Sequence, residues 1–213
     1  MNHRYFFMAP LLNRLGQPEF FCRLMAVTLR VAAALIVLLS LTVVFKVGKI
    51  TFELTHNRVL GGILFELFFI VAVYAAVHAI VIRARDIEQV KGLESYSISV
   101  LMLLLRLTGE AYFAFVALLS IGGGVFVWFT NQSLANVLGP LVRALFPGVA
   151  DDSTFMGGIE LMASGTLIGL GVLIVCYAAS QALALLVRPV RNGAQHQAPA
   201  AEIGQTYRSR FGS

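Results

Sequence analysis

The chain has 213 residues, of which 58 % are hydrophobic and 13 % charged, and its formal net charge is +5. A soluble domain averages about 45–50 % apolar and about 25 % charged residues, so this composition, with a mean hydropathy of +0.82, excludes an ordinary water-soluble globule. The basic residues flank the apolar blocks, which makes a membrane surface, not nucleic acid, the partner implied by the charge.

The N-terminal segment, residues 1–22, mixes Arg4, Arg14, Glu19 and two prolines among its apolar residues. It lacks the uninterrupted apolar stretch and small-residue cleavage site of a secretory signal. The first apolar block is therefore expected to stay as an anchor. It runs from about Arg23 to Phe45, with no charge between Arg30 and Lys46. About 20 apolar residues suffice to cross a bilayer as a helix.

The second block runs from about Arg58 to Ile82 and holds two ionisable side chains, Glu66 and His78. Glu66 lies about 12 Å beyond Arg58 along a helix, inside the hydrocarbon. Three roles are open to it: a protonated, hydrogen-bonded interhelical group, a partner for a basic residue of another protein, or a member of a proton or ion path. His78 lies near the other boundary, and a hydrogen bond to Gln181 is expected if the second and fourth helices meet. Haem ligation would call for a second axial ligand at similar depth, and no other histidine lies within a span.

The following stretch, "RARDIEQVKGLESYS", reads as the solvated tip of a helical hairpin. The third block, from about Ser97 to Phe129, is longer than a crossing needs. Arg106 and Glu110 stand four apart, and a helix places them on one face as an ion pair at the membrane interface. The remaining span is then about Ala111–Phe129. Gly122, Gly123 and Gly124 in it suit close helix packing or a kink.

The next loop carries Leu134, Val137, Leu138, Leu141 and Leu145 at helical spacing, with Pro140 as a kink. A short amphipathic helix lying in the outer interface is expected over 133–146. Asp151, Asp152 and Ser153 suit the N-terminal cap of the fourth span, about Gly158–Val187. The tail, 189–213, is polar and is expected to be disordered.

Two stretches echo each other. "YAAVHAIVIRAR" places Tyr74, Ala75, Ala76 and Ala79 where "YAASQALALLVR" places Tyr177, Ala178, Ala179 and Ala182. Each is preceded by a Gly-Gly pair and a glutamate. This suggests tandem duplication of a two-helix hairpin, the alternative being coincidence in a reduced alphabet. The alanines, with Gly165 and Gly169, are expected to form helix-packing faces.

Arginine and lysine concentrate before the first block, between the second and third, and after the fourth. With four spans that places both termini in the cytoplasm of a bacterial-type inner membrane. Cys22 and Cys176 lack the spacing of a metal site or a disulfide framework. No hydrolase, phosphate-loop or zinc-protease motif occurs.

The expected molecule is thus an all-α polytopic membrane protein with its membrane domain at 23–188 and with neither metal nor cofactor. Its expected role is non-enzymatic: an accessory, assembly or structural subunit, partnered by another membrane protein or by itself. The alternative is a small ion- or proton-coupled transporter or channel. The candidate functional residues are Glu66, His78, Arg106 and Glu110.

Overall fold

A computed structural model describes residues 18–53, 56–90, 96–146, 148–149 and 151–211, with 18–19, 56–57, 96–97, 140–141 and 187–211 as backbone only. Among the described residues six helices follow one another: α1 (Pro18–Glu53), α2 (His56–Glu88), α3 (Tyr96–Thr130), α4 (Leu134–Leu138), α5 (Pro140–Leu145) and α6 (Phe155–Phe211). Among the described residues there is no strand. Helices are the form in which a single segment meets all its backbone hydrogen bonds without water. Four of these are long and apolar enough to cross a membrane, over Phe20–Glu53, Arg58–Glu88, Ile98–Thr130 and Phe155–Leu186.

Each long helix outruns its apolar block. Lys46, Lys49 and Glu53 continue α1 because charged residues propagate a helix once it has begun, and only its lipid-buried part must be apolar. The same holds for α6, which continues to Phe211. The tail expected to be disordered is helical backbone to that point, in keeping with its run of alanine, glutamine and arginine, which are strong helix formers. The N-terminal segment lies outside the described residues up to Gln17, as does the hairpin tip at 91–95.

The four long helices form a row in chain order. α1 packs on α2, α2 on α3, and α3 on α6. The row is open, so its members differ in burial. In the most apolar window of α3, 56 % of residues are buried, against 6 % in that of α1. The core runs along the row. Its largest part joins Val47, Phe65, Phe69, Val116, Leu119, Phe126, Leu134, Phe146 and Leu161. Smaller clusters form around Ala33, Ile80 and Leu107, and around Cys22, Ile87 and Val100.

One end of the row gathers Arg30, Arg83, Arg85 and Arg106, and is called the basic end below. The opposite end holds Trp128. There α3 stops at Asn131, whose φ of 53° is left-handed, a conformation asparagine adopts more readily than most residues. The expected single amphipathic helix is broken in two at Gly139 (φ 67°), with Pro140 opening α5. Its apolar stripe does not lie outward. Leu134, Val137, Val142 and Phe146 are buried in the main core, and Leu138 and Leu145 pack beside them. These side chains seat on protein because Gly123 and Gly165 leave room for Leu134 and Phe146 against α3 and α6.

α3 continues as one helix through its glycine run to Thr130. Each glycine meets a different neighbour. A Cβ on Gly122 would lie 2.6 Å from Cβ of Phe68, one on Gly123 2.6 Å from Cδ2 of Leu134, and one on Gly124 2.6 Å from the Gly158 carbonyl oxygen. Three successive positions point about 100° apart around a helix. One triplet thereby admits α2, the α4 segment and α6 at close range.

Candidate functional site

Two groups of ionisable residues lie at different depths in the bundle. The first joins α2, α3 and α6 at the basic end. Arg83 donates from Nε to Glu110 Oε2 at 3.0 Å and from a terminal nitrogen to Glu110 Oε1. Its other terminal nitrogen reaches Asp86, one turn along α2, at 3.0 Å. The Tyr177 hydroxyl of α6 donates to Glu110 Oε1 at 2.5 Å. Glu110 thus accepts from helices on both sides of α3. A fork of this kind holds a carboxylate in one orientation and adds directional strength to the charge pairing.

The ion pair expected between Arg106 and Glu110 is not made. Arg106 instead donates from Nε to Ser180 Oγ at 3.2 Å, and its guanidinium lies 5.7 Å from the centre of the Tyr177 ring. Ser180 Oγ in turn donates to the Tyr177 carbonyl oxygen at 2.9 Å. The i,i+4 spacing does put both residues toward α6, but neighbouring helices supply Glu110 with better-placed donors. Arg83 and Tyr177 were not singled out for this role in the sequence. Their only signals there were the basic cluster that ends the second block and the tyrosine of the internal echo. Beside the cluster, Glu110, Phe113, Leu173, Ile174 and Tyr177 line a groove of about 340 Å³ between α3 and α6. A separate bond joins Arg30 of α1 to Glu88 of α2 at 2.7 Å.

The second group lies toward the Trp128 end, between α1 and α2. From Glu66 to Arg83, α2 rises about 26 Å, so the two groups do not touch. Glu66 Oε1 is buried and has no hydrogen-bond partner, and the same is true of Thr51 Oγ1 on α1. Each stands over a glycine of the opposite helix. A Cβ on Gly48 would come 3.2 Å from Glu66 Oε1, and one on Gly62 2.2 Å from Thr51 Oγ1. Gly62 and Glu66 are one turn apart on α2, and Gly48 and Thr51 are three residues apart on α1, so the four form one reciprocal seat. Thr51 and Gly48 escaped the sequence reading because a lone threonine near a span's end carries no pattern, and Gly62 figured there only in the Gly-Gly pair of the echo.

His78 joins neither group. It is exposed and stacks on Tyr74, ring centres 5.7 Å apart. The bond expected to Gln181 is absent because α2 and α6 are not packed neighbours, and Gln181 is itself exposed. The expected packing faces also divide. On α2, Ala76 is buried and Ala75 and Ala79 are partly so. On α6, Ala178 and Ala182 are exposed and Ala179 is half-buried, because the contact face is rotated onto Ser180. Gly165 and Gly169 do face α3: a Cβ on Gly165 would lie 2.3 Å from Cβ of Ser120, and one on Gly169 3.1 Å from the Phe113 ring. Gly109 adds a close approach to Cys176 from the α3 side.

At the Trp128 end the indole donates to the Phe155 carbonyl oxygen at 2.9 Å and stacks on the Phe155 ring. The cap of α6 is Thr154, whose hydroxyl accepts from the Gly157 N–H at 3.0 Å. The expected Asp152 supports this cap one step back by accepting from the Thr154 N–H at 2.8 Å. That backbone bond, followed by the Thr154 hydroxyl, holds the Asp152 carboxyl below its ordinary range. Asp151 pairs with Arg143 at 2.9 Å, both well exposed. Among the described residues no group of three histidine, cysteine or acidic side chains is placed to hold a metal ion. No family model matches the chain, and neither a curated protein nor a solved structure is significantly similar to it.

Proposed function

We propose that this protein is an accessory, assembly or structural subunit of a bacterial-type inner membrane, acting within a larger membrane complex or as a homo-oligomer. The observation that carries this reading is the open row. α1 is held almost wholly through one neighbour and turns large side chains such as Leu38, Leu39, Phe45 and Phe52 outward. The charged groups support the same reading. Arg30–Glu88 and Arg83–Glu110 staple adjacent helices, and Arg106 reaches Ser180. Among the described residues Glu66 is not part of that network.

In this reading both termini are cytoplasmic. The basic end collects Arg23, Arg30, Arg83, Arg85 and Arg106, in keeping with the bias of cytoplasmic flanks toward arginine and lysine. The reading also takes the chain as a duplicated hairpin. Its support is that the first helix of each pair reaches the second through an arginine: Arg30 to Glu88, and Arg106 to Ser180.

Purification in mild detergent, with mass spectrometry of whatever co-migrates, tests the proposal. A stoichiometric membrane partner or a defined homo-oligomer is expected. An isolated monomer that moves protons or ions in liposomes would overturn it. That second reading, a small coupled transporter, is favoured by one observation, the unpartnered Glu66 Oε1 inside a span.

A further inference from the structure

We propose that the seat formed by Gly48, Thr51, Gly62 and Glu66 is a proton-binding site, with the proton held on the Glu66 carboxyl. The inference goes beyond the subunit reading and does not depend on it.

Two buried oxygens, Thr51 Oγ1 and Glu66 Oε1, lack partners in the same seam, and Thr51 is only 3 % exposed. Buried polar atoms are nearly always hydrogen-bonded, so each such orphan calls for an explanation. An ionised carboxylate only accepts hydrogen bonds. A protonated one also donates, and a threonine hydroxyl does both. One proton added to Glu66 therefore removes a bare charge from a low-dielectric environment and gives the carboxyl a hydrogen to donate. The step is the association of a carboxylate with H⁺, with no other bond made or broken.

The fit also favours a proton over a larger cation. The two glycine contacts show that the helices meet to within a methyl group beside both oxygens, with 3.2 Å and 2.2 Å the gaps a Cβ would leave. A metal cation would need several oxygen ligands and room for them. A proton needs neither.

Among the described side chains, none forms an ion pair with Glu66. On α1, Lys46, Lys49 and Glu53 are exposed. On α2, Arg58 and His78 are exposed. α3 has no charged residue from Ala111 to Thr130 and a single tyrosine, Tyr112, and α4 (Leu134–Leu138) has no titratable side chain.

Difference infrared spectroscopy of the full-length protein in liposomes, wild type against Glu66→Gln, tests this. The expected result is a protonated-carboxyl C=O band at neutral pH that is missing in the variant. It should convert to carboxylate bands as pH rises and ignore added sodium. If Glu66 shows only carboxylate bands at neutral pH, the proposal is overturned. A band that sodium abolishes at constant pH overturns it too, in favour of a metal-cation seat. Should Glu66→Gln not assemble, Thr51→Val retains the carboxyl and removes its neighbour. The band is then expected to shift in frequency, and an unmoved band would defeat the shared seat. Co-purification of a partner is expected to be the same in either case.

Discussion

The seam between α1 and α2 and the seam between α3 and α6 use the same device and finish it differently. Both rely on glycines that bring two backbones close. In the α3–α6 seam the polar groups are then satisfied: Gly124 faces Gly158, the Trp128 indole reaches the Phe155 carbonyl, and Tyr177 and Arg106 find Glu110 and Ser180. In the α1–α2 seam Thr51 and Glu66 are pressed onto glycines and left without partners. Close packing alone does not complete a polar interface. The α3–α6 seam has these donors and acceptors matched, and the α1–α2 seam leaves two oxygens without partners.

The comparison breaks most readily at Gly158. A Cβ there would lie 2.4 Å from Nε1 of Trp128, so Gly158→Val should destabilise the bundle by about 1–3 kcal/mol through overpacking. Gly171→Ala, where nothing lies within 4 Å, should be close to neutral in the same detergent unfolding assay. Equal effects would mean that α3 and α6 are not in contact as described.

Next in size is Glu110. Glu110→Gln removes the ionic acceptor of Arg83 and weakens that of Tyr177, and a loss of about 1–2 kcal/mol is expected from charged hydrogen bonds at a half-buried site. Tyr177→Phe removes one of these bonds and should cost about 1 kcal/mol. A double-mutant cycle on the two positions should show coupling, and strict additivity would separate α6 from the cluster.

Smaller still is the effect at Arg143. The Arg143–Asp151 pair is exposed on both sides, so Arg143→Ala should change stability by about 0.5 kcal/mol or less. A larger loss would move the α5 loop from the periphery into the core of the argument for the α3–α6 seam.

The smallest expected effect is a pH dependence at the cap of α6. Its own bonds to Thr154 depress the Asp152 carboxyl, so its contribution is complete above the unfolded value of about 3.9. It is lost as pH falls through the lower folded value. Stability curves for the wild type and Asp152→Asn should therefore converge in acid and separate above that window. Curves that run parallel throughout would remove Asp152 from the cap.

The four spans were legible because lipid imposes a length and a composition that apolar blocks display directly. Their ends were not, since Lys46, Lys49 and Glu53 extend α1 once its backbone is already helical. The spacing of Arg106 and Glu110 revealed a shared face but not a partner, because Arg83 and Tyr177 are brought there by tertiary packing that local spacing does not encode. Glu66 stood out as an acid in an apolar block. Its seat did not, because half of it is glycine, which announces itself only when another helix arrives. The alanine echo misled for a related reason: similar strings on α2 and α6 meet different neighbours, and a helix turned by one residue presents a different stripe.

The order of the row matches the order of the chain. Each long helix emerging during synthesis finds the neighbour it needs already in place, and no gap must be held open for a later arrival. Such a layout lends itself to assembly at the pace of translation. It leaves the earliest helix at one margin and the latest at the other, where the finished fold can be extended without being reopened.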